Sequence, residues 1–369
     1  MKVDFRFVCH RACLSILQNL VAPIVSAALF ILAVASGMSA RPARTAPSNH
    51  PVQEASASAI DRDRYFEFHS GFWINLHQFL YEEAVVRSGN PQAKRHEAEL
   101  TSDSSLSSSL SGDEKTAWDS AVSYYQNNLI SLDLLTNDHM RLIKNQLESL
   151  ESASTMSRSH LDPALVAALD RAAPVYRAHW WPAHNKANQD WIAAAGPLVD
   201  QNGDTLVQDM SRAYDATWPE TPIRVDVVAY AYWSGAYTTM HPNRITISSL
   251  DPANQKTAAL EVLFHEASHT LIEKVGALVI QDFAAHKKSA PSDLWHSILY
   301  FTSGYFVKQL YPDYTPYADL AGLWAEGNWS TYHAALVKDW QPHLEGKATM
   351  PAAISQLVSD VLSPSRSQR

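Results

Sequence analysis

Cysteine is confined to the extreme N-terminus, at Cys9 and Cys13. With no thiolate after Leu14, zinc fingers, zinc ribbons and every other thiolate-held zinc site are excluded from the body of the chain. A metal bound there must be held by His, Asp or Glu. The same absence leaves no cysteine after Ala35 for lipidation. Basic residues are also short: 29 Lys and Arg stand against 38 Asp and Glu, a net charge of −9. That balance argues against nucleic acid or an anionic membrane surface as a partner. No internal repeat is visible, and no segment beyond residue 35 is apolar enough to cross a membrane.

What is present describes a globular protein. The 46% apolar and 10% aromatic content exclude a disordered chain, and 369 residues suffice for one large domain or two. Lys2, Arg6 and Arg11 form a positive start, Ala12 to Ala35 is mostly apolar, and Ala33-Val34-Ala35 and Ser39-Ala40 offer small-residue cleavage sites. Residues 1–40 therefore read as a signal peptide or an N-terminal membrane anchor, which makes the protein exported, either periplasmic or secreted. Residues 41–60, rich in Ala, Pro and Ser, read as a flexible linker.

From 61 to 220 the expectation is a helical region without strands. Tyr65 to Val86, dense in aromatics, reads as a buried helix broken near Gly71. Ser111 and Asp162 cap later helices. The character changes near residue 221. Ile223 to Ala231 and Arg244 to Ser249 are β-branched and alternating, as strands are. Asp251-Pro252 is expected to start a helix that runs to Val275 and ends near Gly276, and Ser292-Asp293 to start another that runs to about Leu310. The fold class is thus mainly α with a small β-sheet, α+β, with 221–369 as the metal-binding region.

That region holds His265-Glu266-Ala267-Ser268-His269 within an apolar run of helical spacing. Four residues advance about 400° on a helix, so His265 and His269 share a face one turn apart and can bind one zinc ion. Glu266, a step round the helix, can reach a metal-bound water as general base. A catalytic zinc needs a third protein ligand. His296 ranks first, in an apolar stretch where an unpaired imidazole is costly. Glu326 ranks second, and Asp293 third because its position suits a helix cap. Glu273 fits a partner for a ligand or a surface carboxylate. Tyr232, Tyr237, His241, Tyr300 and Tyr305 are candidates to stabilise an oxyanion, with Tyr300, one turn after His296, placed ahead.

A short strand pair, a His-Glu-x-x-His helix and a further helix bearing a ligand resemble the zincin metallopeptidases. The resemblance implies a zincin-like core, His265 and His269 as zinc ligands, Glu266 as the base, and an edge strand (Ser234 to Thr239 or Arg244 to Ser249) that pairs with a peptide or protein substrate. No Asn-Glu-x-x-Ser-Asp segment of the thermolysin-like group is present, and the aspzincin pattern is not evident. Ile272 and Val275 stand where metzincins carry Gly and His. The expected function is that of an exported zinc metallopeptidase. The rival expectation is a non-catalytic exported helical envelope or scaffold protein with a fortuitous motif.

Overall fold

The computed structural model describes residues 64–89, 100, 103, 110–156, 158–231 and 234–363. The signal or anchor segment, the linker and Tyr232 lie outside the described residues. The chain is mainly helical around a small mixed sheet, the α+β class expected from the sequence.

The sheet begins earlier than expected. Strand β1 (Phe66–His69) precedes helix α1 (Phe72–Arg87), where a single interrupted helix was anticipated. Its alternation is clear once its partner is known. Phe66 and Phe68 face the same core as Ile223 and Val225 of β2 (Ile223–Val228), and the two strands run parallel. Four residues cannot signal a strand whose partner lies more than 150 positions away. Strand β3 (Ala236–Thr239) and strand β4 (Arg244–Ser248) complete the sheet in the order β1-β2-β4-β3. β2 and β4 are parallel, and β3 is antiparallel to β4. Arg244–Ser248 is therefore an interior strand, and β3 is the edge next to the motif.

Helices α2 (Gly112–Asn128), α3 (Asp138–Leu150) and α4 (Pro163–His179) pack with α1 in one apolar core. Ser111 and Asp162 cap as expected: Ser111 accepts from the Glu114 amide, and Asp162 from those of Ala164 and Leu165. Helix α5 (Trp181–Tyr214) runs unbroken through Gly196-Pro197 and Asn202-Gly203. Its buried apolar side chains from Trp191 to Tyr214 belong to a second core, which also takes the apolar face of the sheet and the C-terminal helices.

The two faces of the sheet differ in chemistry. Val225, Val227, Ile245 and Ile247 face the second core. The opposite face carries a buried ionic network: Lys144 of α3 pairs with Glu148 at 2.6 Å, Arg244 bonds Glu148, and Arg224 bonds Asp226 and Glu151. Such charges stay buried only when paired. Among the described residues no helix is long and apolar enough to cross a membrane.

Candidate metal centre

Asp251 and Pro252 start a short 3-10 turn (Pro252–Asn254), and the motif helix α6 begins after it (Thr257–Ser268). The chain reaches β3 through Gly235, whose φ of +76° suits glycine and whose missing side chain admits Asp251 Oδ2. Every residue of α6 from Ala259 to Ser268 is buried, since the helix lies between the sheet, α5 and helix α8 (Leu294–Leu310). It ends a full two turns before the expected stop at Gly276. Thr270 and Leu271 fold back on the carbonyls of Ala267 and Ser268, and helix α7 (Glu273–Ala285) starts afresh. His269 is the C-cap residue, with φ −57° and ψ −25°. Those are helical angles, so its one-turn relation to His265 survives the break. Gly276 is buried inside α7, and Glu273 is exposed in its first turn, which makes it a surface carboxylate.

α8 brings the third imidazole. His265, His269 and His296 form a group whose ligand atoms all lie within 4.8 Å of one another, an arrangement that could hold a metal ion. His265 Nε2 and His296 Nε2 are 3.2 Å apart. Two nitrogens bound tetrahedrally at about 2.0–2.1 Å lie about 3.3 Å apart, so the residues fit such an ion. Burial, then the neighbouring imidazoles of His296 and His269, hold His265 well below the usual histidine range. Burial and then His296 do the same to His269. Both rings are therefore neutral, with lone pairs free to coordinate. Trp295 supports the group, stacked on His296 at 5.1 Å and edge-on to His269 at 5.6 Å.

Glu266 is buried beside this group, its Oε2 3.8 Å from His269 Nε2. Thr238 Oγ1 of β3 lies 2.7 Å from Glu266 Oε2 and 2.9 Å from the Glu266 carbonyl. Burial pushes the Glu266 carboxyl up to about 7, against the opposing pull of Thr238 and His296. When Glu266 is ionised, the threonine hydroxyl donates to the carboxylate. When it is protonated, the carboxyl donates to Oγ1, and the hydroxyl turns to the carbonyl. Either state is satisfied, so the acid can change state without leaving a buried group unpaired.

The remaining candidates fall in different places. The Tyr300 ring packs 4.0 Å from His265 and 4.9 Å from His296, and Tyr317 stacks on it at 5.7 Å. Tyr237 faces the other core, where Gln78 donates to its hydroxyl. His241 is exposed in the turn after β3, and Tyr305 lies two turns beyond His296 against Phe301 and Phe306. Asp293 occupies the N-cap position of α8 but makes no capping bond. Its carboxylate instead accepts from Trp329 Nε1 at 2.9 Å and Tyr332 Oη at 3.2 Å. Neither Asp293 nor Glu326 belongs to the histidine group.

A pocket of about 20 Å³ opens beside the group, room for about one water-sized group. Ala236 of β3, Glu261, His265 and Glu266 of α6, Tyr300 of α8, and Tyr317 line it. Three of the residues around the site, Thr238, Glu261 and Tyr317, were not singled out from the sequence. Only Glu261 leaves a signal there, as an acid in an apolar helical run one turn before His265. Compared with protein-family models, curated proteins and solved structures, the chain matches none.

Proposed function

We propose that this chain is a zincin-like zinc metallopeptidase that hydrolyses peptide bonds, exported by its N-terminal segment. The observation that carries the reading is the convergence of three imidazoles from two helices, two of them held neutral by burial, next to a buried carboxyl. Three nitrogen ligands with no thiolate are the donor set of a catalytic rather than a structural zinc site. Bound there, zinc would supply a Lewis acid that polarises a carbonyl oxygen and acidifies water.

The chain's own groups account for the rest. Glu266 takes a proton from the attacking water and returns it to the leaving amine, the general acid–base role open to a buried carboxyl beside the imidazoles. Thr238 holds Glu266 on the side of the imidazoles in both states. Tyr300, against His265, is the phenol best situated to donate to the oxygen of the reacting carbonyl. β3 has one strand neighbour among the described residues and borders the pocket through Ala236. Support for export comes from the charged start and apolar run of residues 1–40.

Glu266→Gln is the test. The variant keeps the three imidazoles and a neutral polar group for Thr238. Peptide cleavage should fall by at least about a hundredfold while metal content stays at the wild-type level. Undiminished cleavage would remove Glu266 from its role, and a metal-free, inert wild-type protein would favour the scaffold alternative.

A further inference from the structure

The space shared by His265, Glu266 and Tyr300 holds about one water-sized group. A peptide whose carbonyl is to reach Glu266 carries chain on both sides of that carbonyl. One wall of the pocket therefore has to move to admit it. Most walls are fixed. The four residues of β3 are buried and bonded to β4, and α6 is buried from Ala259 to Ser268. The turn before β3 is clamped by Asn254, whose Nδ2 donates to the carbonyls of Gly235 and Ser248. α8, which carries Tyr300, is packed into the second core along most of its length. The remaining wall is Tyr317, which belongs to residues 312–322 after α8.

These residues are held in a different way. Ala318 is the only fully buried side chain among them, and Leu320 is 69% exposed. Apolar burial therefore contributes little to their attachment, the mark of a segment that opens locally. Their polar anchor is Glu261 of α6, one turn before His265 and completely buried. Its Oε2 accepts from Tyr314 Oη at 2.6 Å and from the Tyr317 amide at 3.0 Å. Both bonds end on one carboxyl oxygen, so the wall is fastened at a single point. That point sets the Tyr317 ring on Tyr300 at 5.7 Å. Gly322, with a φ of +68°, gives the chain a turn at the far end of the segment.

We propose that residues 312–322 are a cover latched by Glu261, closing the pocket in the free protein and swinging clear to admit the substrate when the Tyr314 and Tyr317 bonds release. The proposal rests on the peptidase reading for what enters, while the latch itself can be measured without it. Water in the opened space replaces the two bonds, so release does not strand the carboxyl. Closure over a bound peptide returns Tyr317 to Tyr300 and shuts solvent out.

The test is a reversible crosslink and an exchange measurement, both on the full-length protein. A Cβ added at Gly304 of α8 would lie 2.7 Å from Pro316 Cβ, within about 1 Å of the spacing that a disulfide takes. Cys9 and Cys13 are the only native cysteines, and the wild type treated in parallel controls for them. Gly304→Cys/Pro316→Cys should lose at least about tenfold in kcat/KM when oxidised, with the loss reversed by a phosphine reductant. Equal cleavage by the oxidised and reduced forms overturns the proposal. Hydrogen exchange reads the cover without cleavage and decides the matter if the crosslinked protein does not form. In the wild type the Tyr317 amide should exchange through an opening that leaves α6 and α8 protected. Tyr314→Phe, which removes one bond of the latch, should speed that exchange by about tenfold and leave the amides of α6 unchanged. A Tyr317 amide that exchanges only in step with α6 and α8, or at the same rate in Tyr314→Phe, overturns the latch. If the wild type cleaves no peptide, the peptidase reading fails separately, and the exchange result alone sustains or ends the cover.

Discussion

Thr238 Oγ1 lies 2.7 Å from Glu266 Oε2, so the edge strand of the sheet holds the carboxyl of the motif helix. The contact joins two residues that are 28 positions apart and fixes the rotamer of a buried acid beside the three imidazoles. It also explains why a four-residue strand is retained at the rim of the site.

Removing that hydroxyl should loosen Glu266 without touching the imidazoles. Thr238→Val keeps the β-branched shape and leaves the buried carboxyl without its partner. kcat is expected to drop by about 10- to 100-fold, with metal content unchanged and KM little altered. Thr238→Ser, which restores the hydroxyl, should recover most of the loss. A valine variant with wild-type kcat would show that Glu266 needs no such support.

The motif was legible because it is local. His265, Glu266 and His269 need only the period of a helix, and the apolar run around them supplies it. His296 was legible for a weaker reason, as an imidazole in an apolar stretch that needed a partner. The helix end was not. Gly276 invited a stop, whereas the true stop at Ser268 comes from turns that let α7 set off separately. β1 was illegible because its pairing with β2 spans most of the N-terminal half. Thr238 was missed for the same reason, since nothing next to a threonine in a strand indicates which acid it will meet.

A buried acid far from the imidazoles gives a pH prediction independent of the site. Glu82 on α1 is buried, its Oε1 has no partner among the described residues, and burial pushes its carboxyl from 4.5 to about 8. Below 4.5 both folded and unfolded states hold the proton. Between 4.5 and 8 only the unfolded state releases it, so this residue lowers folding stability progressively as pH rises across that window. Glu82→Gln should remove the decline. The stability of the variant relative to wild type should rise by about 1.4 kcal/mol per pH unit at most within the window, and stay flat outside it. Urea unfolding of both proteins at pH 4.5, 6 and 8 checks this, and parallel pH profiles would contradict it.

Asp293 and Glu326 were the alternatives to His296 as metal ligands. Asp293 instead binds Trp329 and Tyr332, and Trp329 packs against Tyr300 at 5.9 Å. Asp293→Ala is therefore expected to destabilise the fold by about 1–3 kcal/mol through the two orphaned donors and to leave zinc affinity unchanged. Glu326→Gln should leave zinc affinity unchanged. Thermal unfolding and zinc titration separate the two effects, and a large fall in affinity in either variant would restore a carboxylate ligand.

The most direct measurement is the metal content and zinc affinity of the purified protein beside those of His296→Ala. The wild type should take up one zinc ion per chain, and His296→Ala should bind it more than about a hundredfold more weakly while remaining folded. A wild-type protein that takes up no stoichiometric zinc, or a His296→Ala variant that binds it as tightly, would contradict the three-histidine centre on which the proposed chemistry depends.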